Sequence, residues 1–524
     1  MKYLLGLAIL LLLACQTKEP QASVEAKTKK PYNILFIMSD DHAEKAISAY
    51  SKDLINTPNI DRIANEGILF KNSFVTNSIC APARAVLLTG KYSHLNGLRD
   101  NRDRFDGDQL TFPKLLQKAG YQTSIVGKWH LKTEPQGFDY WNILIGQGYY
   151  YNPVMIDNGD TLNHEGYTSD IITDLAIQNL ENRDADKPFC MLYHHKAPHR
   201  NWMPDPKHFD LFEEDIPLPE TFWDDYEGRR AAAEQDQSIK NMYMQGDMKL
   251  QPEHSVGYPA GTGGGPQAHD PVNAWTNNSY GRLTPEQKAK WDAHYIPIGQ
   301  DFKARQLKGK ELVEWQYQRY MKDYLMSVQS VDDNVGRMLD YLDESGLAEN
   351  TLVVYTSDQG FYLGEHGWYD KRFMYEESLS MPLVARLPGV IPPNQINEDM
   401  VLNLDFAPTI MDYAGLAIPT DFQGASLRPI MEANTPEDWR SSMYYHYYEY
   451  PHGWHKVKQH YGVRTERYKL IHFYHDIDEW ELYDLQEDPN EMNNLINSQE
   501  HQDIISELKA EIQKLRKDLD YKEV

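Results

Sequence analysis

Two apolar runs of the sequence end in the same way. "NILFIMSDDH" closes on Asp40 and Asp41, and "TLVVYTSDQG" closes on Asp358 and Gln359. Ligand sites of open α/β sheets lie at the carboxyl ends of the strands. If these two strands are neighbours, three carboxylates and one amide carbonyl converge there. An all-oxygen donor set of that kind takes a hard cation, calcium or magnesium. One such Asp by itself is usually just the cap of a turn; its repetition at two strand ends points to a metal.

Cations and histidines recur at further strand ends. "VGKWH" supplies Lys128 and His130, "HHKAPHR" supplies His194, His195, Lys196, His199 and Arg200, and "EHGWYDKR" supplies His366, Lys371 and Arg372. Singly, each reads as a solvated loop charge. Together they describe a pocket for an anion beside the metal. "SICAPARAVLLTG" adds a thiol, Cys80, to this setting. Pro82 suits the first turn of a helix and Gly90 its stop. The free N–H groups of that helix start then face Cys80 and any bound anion, and Arg84 lies one turn on. A thiolate there could act as a nucleophile. No Cys-His-Asn arrangement surrounds it, however, and sulfur is a soft partner for a hard metal.

The elements that must carry these residues alternate along the chain. After "NILFIMSDDH", "TPNIDRIANEG" has helix punctuation, with Thr57 as N-cap, Pro58 in the first turn and Gly67 at the close. "TFPKLLQKAG" repeats that layout before the strand of "YQTSIVGKWH". Helices over about 167–182 and 311–345 precede "FCMLYHHKAPH" and "TLVVYTSDQG". Helices alternating with buried strands define an α/β fold, a mixed and mostly parallel sheet covered on both faces. Periodicity fades over about 204–305, an insertion containing the loop "GYPAGTGGGPQAHDP". After about 435, "SSMYYHYYEY", "HYGVRTERYKLIHFY" and "EWELYDL" read as an antiparallel sheet, followed by an amphipathic helix near 499–519. The division expected is a leader over 1–15, a tether over 16–30, a catalytic domain over 31–434 and a C-terminal subdomain over 435–524.

The leader consists of Lys2, an apolar run from Leu4 to Ala14, and Cys15. It is too short for a permanent span and reads as an export signal. Its ending "LLAC" resembles the bacterial lipobox, which would make Cys15 the lipid-bearing N-terminus of a periplasmic or surface-anchored lipoprotein, attached to the membrane only through that lipid. The polar stretch after it suits a tether. Of the three cysteines, Cys190 lies in an apolar strand and reads as core, which leaves Cys80 for chemistry. A net charge of −26 excludes nucleic acid as the main partner. The 35 tyrosines and 11 tryptophans suit stacking on sugar rings and equally suit ordinary packing.

At this point the residues resemble a known family. "CAPAR" matches the C-x-P-x-R signature of the type I sulfatases of the alkaline phosphatase superfamily. "NILFIMSDDH", "TPNIDRIANEG", "GKWH", "KAPH", "SDQG" and "ELYDLQEDPNEMNNL" look like that family's segments in order, from about residue 31 onwards. The resemblance implies that a sulfatase-maturating enzyme oxidises Cys80 to Cα-formylglycine (3-oxoalanine), whose hydrate attacks sulfur. It implies one calcium ion held by Asp40, Asp41, Asp358, Gln359 and the modified Cys80. Arg84 and Lys128 would steady the hydrate, and His130, His199 and Lys371 would surround the sulfate and the leaving oxygen. Two positions depart from the family pattern. Lys91 stands where arginine is commoner, and Gln359 where asparagine or histidine is commoner. The substrate implied is a sulfated carbohydrate, either a glycosaminoglycan sugar such as N-acetylglucosamine-6-sulfate or an algal polysaccharide such as ulvan. Trp202, His366, Trp368, Asp370 and the stretch from His446 to His460 are expected to line the sugar subsites. The rival readings are a phosphate mono- or diesterase of the same superfamily, and an inactive glycan-binding lipoprotein.

Overall fold

The computed structural model describes residues 31–265 and 270–522. The leader, the tether and Cys15 lie outside these residues. From Pro31 onwards the chain forms one compact unit. Among the described residues no helix is long and apolar enough to cross a membrane.

Four parallel strands form the centre of a ten-stranded sheet: β1 (Asn33–Ser39), β2 (Gln122–Gly127), β3 (Phe189–His194) and β4 (Thr351–Ser357). In space β1 lies between β3 and β4, and β2 lies beyond β3. Every residue of β1 and β4 is buried, as continuous apolar runs require when both faces of a sheet are covered. Alternate residues of β1 serve different cores. Ile34, Phe36 and Met38 pack with Val86 and Leu87, whereas Leu35 and Ile37 pack with Val331, Val335 and Met338. On the first face lies the helix α1 (Cys80–Thr89), against Phe406–Tyr413 and Phe112–Lys118. On the second lies α2 (Gly309–Glu344), against Pro58–Asn65 and Thr168–Glu181. Antiparallel strands enter only away from the centre, Leu383–Arg386 beside β4 and the hairpin Val154–Asp157/Asp160–Asn163 at the far edge. This is the mostly parallel, doubly covered sheet expected from the sequence.

Register places the chemistry. Ser39 pairs with Ser357 and Gly127 with His194, so Asp40, Asp358, Lys128 and His195 all leave the same edge of the sheet. Gly127 makes one of these approaches possible. At φ +107°, a Cβ on it would stand 1.9 Å from the carbonyl oxygen of His194.

Two punctuation marks work differently from expectation. The Thr57 side chain makes no cap bond; its hydroxyl donates to Asp61 at 3.3 Å. The free N–H groups of Asn59 and Ile60 donate instead to the Asp332 carboxylate, brought from α2, at 3.1 and 2.9 Å. Gly67 is not a left-handed helix stop. It is small because a Cβ there would lie 2.0 Å from the carbonyl oxygen of Ala385. In the insertion the structure has a 21-residue helix, Pro285–Arg305, closed by a Thr284/Gln287 capping box. Pro297 in mid-helix and scattered apolar positions obscured its period.

The C-terminal part is an antiparallel sheet in sequence order, Ser442–Tyr447, His460–Thr465, Tyr468–Phe473 and Glu479–Asp484. The helix Gln502–Asp518 lies on it. Tyr445 braces the catalytic loops: its hydroxyl accepts from the Ser78 N–H at 3.1 Å and donates to the Arg372 carbonyl at 2.7 Å.

Candidate active site

The two carboxylate strand ends do meet. Asp40, Asp41 and Asp358 bring ligand oxygens within 4.8 Å of one another, and Asp40, Cys80 and His199 form a second group on the same criterion. All three aspartates are buried. The Asp41 N–H donates to Asp358 Oδ1 at 3.2 Å, which ties one strand end to the other. Arg84 reaches back one turn along α1. Its Nε and one terminal nitrogen donate to Asp358 Oδ2 at 3.2 and 3.1 Å, and its other terminal nitrogen donates to the Lys128 carbonyl at 2.9 Å. Lys371 places Nζ 2.6 and 2.8 Å from the two oxygens of Asp41. Lys128 Nζ pairs with Asp40.

The donor set fits a hard cation on an observation independent of any sequence pattern. Oδ1 of Asp40 and Oε1 of Gln359 are buried without a hydrogen-bond partner, an arrangement that proteins generally avoid. The Gln359 amide nitrogen faces Asp41, and turning that amide over, an interchange of nearly identical atoms, presents its carbonyl oxygen to the same point. Burial pushes the Asp41 carboxyl up to about 7 despite Lys371, which is the unfavourable state that a bound cation would relieve.

Cys80 is the first residue of α1 and is 1% exposed. Burial pushes its thiol pKa upward, with Lys371 opposing, so the unmodified side chain stays a thiol and not a thiolate. It lines a cleft of about 310 Å³ together with Lys196, His199, Asp370, Lys371 and Arg372. Burial holds Lys196 down to about 8 and His199 well below its usual range, aided by Lys128 and Lys371. His199 Nδ1 points at the Arg200 carbonyl, 2.5 Å away, and must therefore carry the hydrogen. Nε2 is left free to take or give a proton in the cleft, 3.7 Å from Asp41.

The remaining expected residues are placed in different ways. His130, itself left-handed at φ 59°, lines the neighbouring hollow with Trp129 and Lys132 and still feels the charges of Lys128, Arg84, Asp358 and Lys371, whereas three expected sugar-binding residues lie in the core. Trp202 is fully buried against Tyr320, at 4.6 Å between ring centres. Trp368 is stacked among Tyr226, Phe373 and Tyr375, and its indole N–H donates to Tyr226 at 2.8 Å. His366 is buried with Nδ1 2.8 Å from Asp224. None of the three is open to a sugar, because each is fully buried in the packed interior. Of the expected subsite residues named singly, only Asp370 lines the cleft. Cys190 is a buried free thiol in β3. Lys91, the first departure, is half-buried in an ion pair with Asp421 at 2.5 Å.

His460 is also core. It lies between Tyr445, Tyr447 and Phe473, Nδ1 donates to the Lys458 carbonyl at 2.8 Å, and Nε2 has no partner. Burial lowers its pKa from 6.5 to about 4. As pH falls below 6.5 the unfolded chain takes the proton first, so native stability is lost between the two values. Replacing His460 with Phe should therefore shrink the stability difference between about pH 7.5 and pH 5 by about 2 kcal/mol, as read from urea unfolding at each pH. An unchanged difference would refute the assignment.

Other lining residues carried no recognisable signal in the sequence. Tyr149 and Tyr150 come from "GQGYYYNP", Arg282 and Tyr243 from the insertion, and Trp454 from the C-terminal part. Arg282 lies over the Tyr149 ring at 4.1 Å. Arg200 sits among Tyr243, Tyr369 and Trp454 and is clamped by Asp247 at 2.8 and 2.6 Å. An aromatic cluster after a strand end was the only available hint.

Paired strand-end carboxylates, a cysteine at a helix start and a ring of cations, all on an alkaline phosphatase-like sheet, define a hydrolase of sulfate esters. The chain belongs to the sulfatase family. It matches the family model Sulfatase over residues 32–416, and residues 364–518 match the model described as N-sulphoglucosamine sulphohydrolase, C-terminal. An N-acetylglucosamine-6-O-sulfatase of Bacteroides thetaiotaomicron is 51% identical over 528 residues, covering 99% of this chain and 91% of its own. Human N-acetylglucosamine-6-sulfatase is 28% identical over 81% of this chain and 68% of its own. A solved structure described as in complex with its substrate D-glucosamine-2-N,6-O-disulfate superposes with a TM-score of 0.88 at 50% identity, over 94% of this chain and 98% of that one.

Proposed function

We propose that this sulfatase removes the 6-sulfate from a glucosamine-type sugar of a glycosaminoglycan, as an exported lipoprotein anchored through Cys15. The observation that carries the substrate is the 51% identity to an N-acetylglucosamine-6-O-sulfatase along 99% of the chain. The leader pattern alone supports the location.

Asp40, Asp41, Asp358 and Gln359 would hold one calcium ion, and a maturating enzyme would convert Cys80 to formylglycine. Bound there, these groups would supply a polarised hydroxyl as the nucleophile towards sulfur. The chain's own residues do the rest. Lys128, Lys196 and Lys371 surround the anion and offset the charge that develops on it. Arg84 fixes Asp358 and the Lys128 carbonyl at once. His199, with Nδ1 committed to a carbonyl, offers Nε2 to the leaving sugar oxygen. Asp370 and Arg372 flank Lys371 in the cleft and present an acceptor and donors to the sugar's hydroxyls. Glu449, 2.7 Å from Arg372, holds that guanidinium in place.

The test is a panel of sulfated monosaccharides with the matured protein. Release of sulfate from N-acetylglucosamine-6-sulfate, or from its N-sulfated analogue, should exceed release from 2-, 3- or 4-sulfated isomers and from sulfated rhamnose by at least about a hundredfold, near 3 kcal/mol of discrimination. Faster turnover of sulfated rhamnose would transfer the assignment to an algal polysaccharide. Faster turnover of a phosphate ester than of its sulfate would overturn the substrate class.

A further inference from the structure

The C-terminal part reaches the cleft through Trp454 and the histidine that follows it. His455 is 1% exposed and follows Trp454, which lines the cleft. The insertion grips it from behind. The His455 N–H donates to the Gly264 carbonyl at 2.5 Å, and its own carbonyl accepts from the Asp236 N–H at 2.7 Å. Gly264 sits at φ +66°, and a Cβ on it would stand 1.8 Å from His455 Nδ1. Only glycine lets the loop close onto the ring.

The ring's two nitrogens face two oxygens. Nδ1 is 3.1 Å from the Asp236 carbonyl oxygen, and Nε2 is 2.9 Å from Asp370 Oδ2. A peptide carbonyl only accepts, and an ionised carboxylate only accepts. A neutral imidazole has a single N–H, so it would leave one of these contacts as lone pair against lone pair in a buried place. Turning the ring over would set carbons against both oxygens and satisfy neither. Asp370 has no other way out. Its Oδ1 accepts from the Lys371 N–H at 2.8 Å and lies 3.5 Å from Arg372 Nε and 3.9 Å from Lys371 Nζ. The remaining groups facing His455 are the Arg200 and Arg372 guanidiniums, the Tyr369 ring edge-on at 5.3 Å and the Trp454 ring. Burial, helped by Arg372 and Arg200, holds the pKa of a lone imidazolium here below its usual range, and Asp370 opposes it; the two acceptor oxygens facing the ring are the observation that requires a second proton.

We propose that one proton lies between Nε2 of His455 and Oδ2 of Asp370 while a second stays on Nδ1, a net-neutral pair that aims Asp370 into the cleft. The pair titrates as one unit. His455 touches no substrate; it is a positioning residue, and its importance for binding rests on the reading of Asp370 as the carboxylate that receives the sugar's hydroxyls. When the shared proton is lost at alkaline pH, Asp370 faces a lone pair and its orientation is released. The KM for the sugar sulfate then rises while the sulfur chemistry beside it persists.

Two measurements on the full-length, matured enzyme decide the matter. With 15N-labelled histidine, both His455 nitrogens should show the shifts of protonated nitrogens at neutral pH, the resonance being assigned by its loss in His455→Gln. A bare Nε2 signal would overturn the proposal. Kinetically, His455→Gln and His455→Phe should raise KM for N-acetylglucosamine-6-sulfate by about tenfold or more with kcat lowered less than threefold, and should abolish the alkaline rise in KM. Asp370→Asn, whose amide can donate to Nε2, should likewise remove that pH dependence. Equal losses in kcat and in KM, or an alkaline limb that persists in His455→Gln, would overturn it. If the wild-type enzyme cleaves aryl sulfates but no amino-sugar sulfate, the substrate reading fails, and the nitrogen shifts still locate the proton.

Discussion

Cys80→Ala is expected to lower sulfate ester hydrolysis by at least about four orders of magnitude, with the protein still folded. Removing a covalent nucleophile forfeits most of a hydrolase's acceleration and leaves only what binding and electrostatics supply. Folding should survive because the thiol makes no strong bond; its nearest polar contact is the Gln359 amide at 4.0 Å. The argument against a plain thiolate is that burial, reinforced by Asp358 and Asp41, raises the thiol pKa. The active wild-type protein should therefore yield a residue-80 peptide about 18 Da lighter than its sequence, sulfur and two hydrogens being exchanged for oxygen. An intact thiol in fully active enzyme would end the formylglycine reading. The same digest reads the other end of the chain, where an acylated peptide beginning at Cys15 is expected.

Removing the calcium ion proposed for Asp40, Asp41, Asp358 and Gln359 should have an effect of similar size on activity and a large one on stability. Without it, Asp40, Asp41 and Asp358 share a buried space with the cations Lys128, Lys371 and Arg84, while Asp40 Oδ1 and Gln359 Oε1 have no partner. A ligand that binds only the native state at a thousandfold excess over its Kd adds about 4 kcal/mol. Exhaustive chelation should take activity to background and lower the melting temperature by several degrees, and added calcium should restore both. Full activity in protein shown by elemental analysis to hold less than a tenth of an equivalent of any divalent metal would refute the assignment. Arg84→Met should mimic part of this loss, because it leaves Asp358 buried without its bidentate partner at a cost of about 3–5 kcal/mol.

What was legible in the sequence follows from period and from termini. β1 and β4 carry unbroken apolar stretches and are buried throughout, so "SDDH" and "SDQG" marked matching strand ends, and their pairing in register, Ser39 with Ser357, turned that match into one site. The helix α1 showed itself through Pro82 and Gly90; the latter is its left-handed cap, with its N–H on the Val86 carbonyl at 2.8 Å. Loop residues were another matter. Trp202, His366, Trp368 and His460 have the side chains that bind sugars, and each is core, because an aromatic on a loop next to a site packs beneath it as readily as it faces it. Arg282 and Tyr243 reach the cleft through an insertion whose path no local pattern encodes, and Trp454 reaches it from the C-terminal part. The Asp332 cap on Pro58–Asn65 was illegible for the same reason: a helix start had its own Thr57 in place, and a carboxylate from 273 residues away took the N–H groups instead.

The burial of residue 80 also sets an order of events. Its side chain is 1% exposed, at the start of a helix every residue of which is buried, under a loop held by Tyr445 from a strand more than 350 residues later in the chain. A protein that had to hold the backbone around this thiol would find it buried in the finished fold. The oxidation proposed for Cys80 would therefore have to precede closure of the fold around it. On that reading, a molecule that folds first would stay unmodified however correct its structure.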